Sequence, residues 1–137
     1  MLAYLLTALL FVPAISQNTI RDCSSGKSLF KFISGSLEPS PVIPGENATL
    51  SLSAEIPAGT TITAGTAKYS ISFNGIPFTP STEDLCTQVV CPLVSGPYKD
   101  SSVSVFPTGL TGKIVSKIEW FDSSSTLLLC TEITSKV

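Results

Sequence analysis

Apolar and polar residues alternate with a period of two along most of this chain. Leu50, Leu52, Ala54 and Ile56 alternate with Ser51, Ser53 and Glu55, the pattern of a strand with one buried face. Ala67, Tyr69, Ile71 and Phe73 alternate with Lys68, Ser70 and Ser72, and Val103 and Val105 stand opposite Ser102 and Ser104. Ile114, Ser116, Ile118 and Trp120 share one face of a further strand, with Lys117 and Glu119 on the other. Residues 29–33 (LFKFI) and 127–129 (LLL) supply the first and last strands. Turn formers punctuate these runs at Pro39, Pro41, Pro44-Gly45, Pro57-Ala58-Gly59, Asn74-Gly75, Pro80 and Pro107. No segment beyond residue 16 carries a helical repeat. Strands at this spacing with one-sided apolar faces predict an all-β, antiparallel sandwich of two sheets, built as one domain over residues 17–137. Inward Tyr69, Ile71, Phe73, Val103, Val105, Ile118 and Trp120 could fill a dry core or line a cavity, and periodicity leaves both open.

The N-terminus changes the picture. Residues 1–16, MLAYLLTALLFVPAIS, hold no charged side chain and form a short apolar stretch, with small Ala14 and Ser16 before Gln17. This reads as a signal peptide cleaved before Gln17, and its length is short for a membrane span. The rest of the chain is then a soluble resident of the secretory pathway. Its formal net charge is −2, and its charged residues are scattered. A nucleic-acid partner would call for a basic stripe, and an anionic membrane surface for a polybasic run; neither exists. Asn47-Ala48-Thr49 is a glycosylation sequon, with Asn47 as the acceptor in a secretory chain.

The chain contains no histidine, which removes Ser-His-Asp and Cys-His catalysis and every His-ligated metal site. All-thiolate zinc sites use two close cysteine pairs, whereas Cys23 and Cys130 lie far apart; an oxidising compartment favours disulfides. The cysteines of CTQVVC (Cys86 and Cys91) have four residues between them, so no C-x-x-C redox motif is present. Glu83-Asp84 is the one adjacent acidic pair and reads as a solvated turn. No enzyme activity, cofactor or metal is expected. Four cysteines allow three connectivities. Joining Cys86 to Cys91 would close a small hairpin-like loop and leave Cys23 and Cys130 to tie the ends of the domain. An immunoglobulin domain would instead place its disulfide between the sheets against a Trp, and these positions do not fit that pattern.

The order of features is more specific than any one of them. Asp22-Cys23 opens the domain, and GIPFTP at 75–80 leads to the Cys86/Cys91 clamp followed by Pro92-Leu93. Gly96-Pro97-Tyr98, Ile118-Glu119-Trp120 and LLLCTEI at 127–133 follow. Over residues 22–134 this resembles the ML lipid-recognition family, which includes Niemann–Pick type C sterol carriers, fungal phosphatidylinositol/phosphatidylglycerol transfer proteins, endotoxin co-receptors and group 2 mite allergens. The resemblance implies an immunoglobulin-like sandwich with an apolar cavity between its sheets, and the pairs Cys23–Cys130 and Cys86–Cys91. It places Phe78 at the pocket mouth, with Val105, Phe106 and Pro107 on the opposite side. Tyr69, Phe73, Val103, Ile118 and Trp120 complete the expected lipid-binding set. The pocket Tyr of the sterol carriers aligns near Thr111, and their extra N-terminal disulfide hairpin is missing, so a phospholipid or fatty acyl ligand stays open beside a sterol.

The function so implied is a monomeric lipid carrier. Its partners would be a sterol or phospholipid and, transiently, membranes or a lipid-accepting membrane protein. It would be secreted or reside in the endosomal, lysosomal or vacuolar lumen. The alternative is a secreted recognition module that binds a protein receptor, with or without lipid. When the protein is made in a eukaryotic secretory pathway, Asn47 is expected to carry glycan. A gain in gel mobility on endoglycosidase treatment checks this.

Overall fold

Residues 18–109 and 111–137 are described by a computed structural model; the expected signal segment, residues 1–16, lies outside them. The described elements are β1 (Thr19–Asp22), β2 (Lys31–Glu38), β3 (Asn47–Ile62), β4 (Gly65–Phe73), β5 (Ile76–Pro77), β6 (Ser81–Asp84), one helical turn α1 (Leu85–Gln88), β7 (Leu93–Val105), β8 (Lys113–Asp122) and β9 (Leu127–Lys136). One sheet runs β1-β9-β8-β4-β5, with β6 also paired to β4; the other runs β2-β3-β7. Every pairing is antiparallel. The result is an immunoglobulin-like antiparallel sandwich.

Register explains which residues are inside, because directly opposed residues of an antiparallel pair share a face. Ala67 opposes Trp120, Tyr69 opposes Ile118 and Phe73 opposes Ile114. On the next strand Trp120 opposes Leu129, and Ile118 opposes Thr131. This face meets Leu52, Ala54 and Ile56 of β3 across the core, together with Phe30, Leu85 and Leu93. Tyr98 of β7 meets Trp120 edge-on, with ring centroids 5.9 Å apart and planes at 78°, a favoured aromatic geometry.

The two edges of the sandwich differ. At one, β1 lies against β2. A Cβ added to Gly35 of β2 would stand 2.8 Å from Ile20 Cγ2 and 3.2 Å from Leu52 Cδ2, so the close approach of the sheets here requires glycine. The Cys23–Cys130 disulfide, with a sequence separation of 107, extends the β1–β9 pair, and the Cys23 N–H donates to the Cys130 carbonyl at 3.0 Å. Asp22 pins the turn that follows: its carboxylate accepts from the Ser24 N–H at 2.9 Å, the Ser24 hydroxyl at 2.7 Å and the Gly26 N–H at 3.1 Å. The opposite edge, bounded by β4 with its short partners β5 and β6 and by β7, is where the interior opens.

Three local expectations are corrected. Residues 29–33 are not one strand and not the first: Thr19–Asp22 precedes them. The Leu29 and Phe30 N–H groups donate to Leu127 and Leu128 of one sheet, at 2.9 and 2.8 Å, before the chain joins the other sheet at Lys31. Fully buried Phe30 sits at this crossing. Pro57-Ala58-Gly59 does not end a strand. β3 continues through it, with its register on β7 shifting between Ile56 and Thr61. The bulge accommodates a residue without an N–H and Gly59 at φ 77°. Cys86–Cys91 clamps a helical turn rather than a hairpin. Asp84 caps that turn by accepting from the Cys86 N–H at 2.9 Å, and fully buried Leu85 plugs it into the core.

Asn47 is exposed at the start of β3, opposite Val105. The two disulfides make unequal contributions, because closing a longer loop constrains the unfolded chain more. Replacing Cys23 and Cys130 together by Ser should cost about 5 kcal/mol, and Cys86 with Cys91 about 2 kcal/mol, in the chain-entropy picture. Denaturant midpoints of the two double variants check the order.

Candidate functional site

At the open edge lies a pocket of about 520 Å³ between β4 and β8 on one side and the end of β7 with Phe106-Pro107 on the other. Tyr69, Ile71 and Phe73 of β4 and Ile114 and Ser116 of β8 form its floor, and Phe78, Thr79 and Ser81 one wall. Local sequence places each part. Asn74 and Gly75 take φ of 49° and 82°, conformations that Asn and Gly tolerate best. The chain therefore doubles back as β5, and the Phe78 N–H donates to the Ile71 carbonyl at 2.9 Å. The Asn74 side chain accepts from the Lys113 N–H at 2.8 Å, tying this hairpin to β8. On the far wall the Phe106 carbonyl accepts from the Gly45 N–H at 2.8 Å. Ile71 belongs to the inward row of β4 yet is 47 % exposed, and Phe78 is 57 % exposed at the rim.

The structure brings together six of the residues expected from the sequence: Tyr69, Phe73, Phe78, Val105, Phe106 and Pro107 all border this pocket. It does not bring in the other three. Val103, Ile118 and Trp120 border a second chamber, of about 260 Å³, which shares Tyr69 and Ser104 with the first. Trp120 is a core residue, 3 % exposed.

The inward assignment of Val103 and Val105 is corrected by register. Leu50 opposes Ser102 and Ala48 opposes Ser104, so the serines share a face with partly buried Leu50 and buried Ala48, though both serines are themselves exposed at this edge. The valines share the outer face with Thr49 and Asn47 and are 61 % and 57 % exposed. They reach the cavities only from the rim of an edge strand. Ser104, Thr79 and Ser81 were not foreseen. Ile114 and Ser116 were legible, since both fall on the Trp120 face of the β8 alternation.

Asp100 opposes Leu52, so it too falls on the inner face of β7. Burial and the Asp100 charge push the Tyr98 phenol up to about 12. Tyr69, on the other sheet, is raised by burial and then by Asp100 and Glu83, and its hydroxyl donates to Gln88 Oε1 at 3.1 Å. Among the described residues no group of three or more His, Cys, Asp or Glu could hold a metal ion. The site is therefore an apolar pocket beside a smaller chamber whose walls mix apolar and polar side chains. It offers shape, apolar surface and a few hydrogen-bonding groups.

Comparison with known proteins agrees with this architecture. The model of the ML domain matches residues 17–137, while no curated protein matches the sequence. A Niemann-Pick type C2 protein from Japanese carpenter ant superposes with a TM-score of 0.66 at 15% identity, over 86% of this chain and 98% of that one. Chicken MD-1, solved in complex with lipid IVa, gives a TM-score of 0.60 at 11% identity, over 87% and 88%. Alkylpurine DNA glycosylase AlkC of Pseudomonas fluorescens, solved on DNA with an abasic site analog, gives 0.51 at 12% identity, over 80% of this chain and 31% of that one. At these identities the likeness is one of fold.

The tyrosines give the site a measurable signature. A phenol raised in the folded state contributes stability that is present below the ordinary phenol value of about 10 and is lost as pH rises through the folded value. Thermal stability should therefore fall between pH 10 and about 12 partly through Tyr98, and Tyr98→Phe should flatten that fall. Ultraviolet titration of phenolate in the native protein should lose its latest component in the same variant.

Proposed function

The chain belongs to the ML-domain family, and from that premise we propose that it is a soluble lipid carrier, holding the apolar part of a sterol or phospholipid between its two sheets. The pocket of about 520 Å³ at the open edge carries this reading. Its volume falls in the range of roughly 300–1,000 Å³ used for small-molecule ligands, and inward Ile71 remains 47 % exposed within it. The ant Niemann-Pick type C2 protein and the lipid-bound chicken MD-1 supply supporting analogies of fold. Two disulfides and the leader-like residues 1–16 fit residence in the secretory pathway, secreted or within an endosomal, lysosomal or vacuolar lumen.

Phe78 acts as a gate in this reading. It sits between Pro77 and Thr79-Pro80 in the connection between β5 and β6, a stiff setting for an apolar rim residue. Lipid enters past it and lies along Ile71, Phe73 and Ile114. Burying about 300 Å² of lipid at about 25 cal/mol/Å² contributes about 7 kcal/mol before ordering and desolvation costs. Binding is then micromolar at its tightest and reversible, as transfer between membranes requires.

Extraction of the purified protein followed by mass spectrometry should recover a bound amphiphile. Phe78→Ala should weaken binding of a fluorescent sterol or phospholipid by about tenfold. Its stability should fall by less than the ~3–5 kcal/mol expected when a fully packed aromatic is truncated. Phe30, fully buried, provides the opposite balance. Phe73 borders the pocket itself and does not separate the two effects. Equal lipid affinity in wild type and Phe78→Ala would remove the gate, and no lipid binding by either would remove the carrier.

A further inference from the structure

Among the described residues, the outer face of the β2-β3-β7 sheet is polar at every paired position but two between Ser53 and Asn47. Opposed residues share a face. Ser34 opposes Ser53, and Ser36 opposes Ser51, which opposes Ser101 on its other side. The two exceptions are Val103 and Val105, both more than half exposed. Val105 opposes Asn47 and Val103 opposes Thr49. The valines therefore lie beside the two residues that define the sequon, while Ala48 between them is buried on the inner side. An outward aliphatic pair on a face of serines is a feature that calls for a cover.

A protein partner of ordinary size fits poorly, because specific interfaces take about 20–30 residues a side and this strip is two residues long. A sugar fits better. Directly opposed residues have Cβ atoms about 4.5–5.5 Å apart, and diagonal neighbours about 7–8 Å. A ring carried on the Asn47 amide thus starts beside Val105, and the next ring comes within reach of Val103. Pyranose rings present C–H bonds on their faces and hydroxyls around their rims, so they can lie on aliphatic side chains and stay hydrated. Asn47 is exposed where the chain leaves the Pro44-Gly45 turn and enters β3, a position suited to a bulky, solubilising group.

We propose that Asn47 carries an N-linked glycan whose first sugars lie over Val103 and Val105 and make this stretch of the outer face wholly hydrophilic. The donor is an oligosaccharide on a polyprenyl diphosphate. The bond from sugar C1 to the Asn47 amide nitrogen forms, the C1–O bond to the diphosphate breaks, and the amide gives up one proton. Val105 borders the larger cavity and Val103 the smaller one, so the glycan screens the β7 rim and leaves the rim at Phe78 open. The inference rests on entry into the secretory pathway and not on the carrier reading.

The test uses protein secreted by a eukaryotic host, before and after an amidase removes the whole glycan from the folded chain. Hydroxyl-radical oxidation, read by mass spectrometry, should rise about threefold at Val103 and Val105 once the bulky group is gone. Val90, exposed at the far end of the cysteine-clamped turn, should keep its rate. Asn47→Gln should show the raised rate from the start and self-associate at a lower concentration than wild type. Adding Val103→Ser and Val105→Ser to it should restore wild-type solubility. An unmodified Asn47 in the secreted protein, or equal oxidation before and after removal, overturns the proposal. So does binding of the glycosylated protein to phosphatidylcholine vesicles that is lost in Val103→Ser with Val105→Ser, because the strip would then face a bilayer.

Discussion

Where β1 crosses β2 the two sheets come so close that residue 35 has no room for a Cβ, and the Cys23–Cys130 bond extends the strand pair at that edge. Sheets of a packed sandwich stand roughly 10 Å apart when side chains interdigitate between them. A small residue at one edge lets them approach there, and bulky side chains elsewhere hold them apart. The far edge has aromatic residues on both facing strands, Tyr69 and Phe73 on β4 and Tyr98 on β7. It cannot close to the same distance. The pocket thus follows from unequal side-chain size at the two edges, with glycine on one side and aromatic rings on the other.

The open edge divides into two environments along its length. Near the β4–β5 turn the walls are chiefly Ile71, Phe73, Phe78, Phe106 and Ile114, a largely apolar surface. Apolar walls discriminate poorly among similar chains. Toward the helical turn the edge strand turns Asp100, Ser102 and Ser104 inward, against Gln88 and Trp120. The disulfide-clamped turn 85–91 matters to both environments. Leu85 anchors it in the core while Gln88 holds the Tyr69 hydroxyl, at one of the two residues that border both cavities.

Legibility in the sequence followed how strongly each strand was constrained. β4 and β8 face a buried sheet on one side and solvent on the other, so their alternation revealed Tyr69, Phe73, Ile114 and Trp120 as inward residues. β7 failed the same reading. Among the described residues it pairs on one side only, with β3, and its inner face borders a cavity, so nothing there demanded apolar side chains. The valines at 103 and 105 could then point outward without penalty. β1 is four residues long and α1 a single turn, too short for any period to emerge. The bulge at Pro57–Gly59 looked like a strand end because proline and glycine mark both. The order of cysteines, prolines and aromatics carried what periodicity could not, namely that the interior is hollow.

An inward charge on an edge strand has another known use: it discourages pairing with the edge of a second molecule. β7 spans 13 residues and, among the described residues, has one unpaired side, and Lys99 and Asp100 would serve that purpose. Protection alone, however, is satisfied by one or two charges, and outward Lys99 already supplies one. Edge protection is compatible with the proposed carrier role, since an edge that rejects a neighbouring strand stays accessible to a lipid. The exposed edge that most sandwiches must conceal can serve here as the entrance.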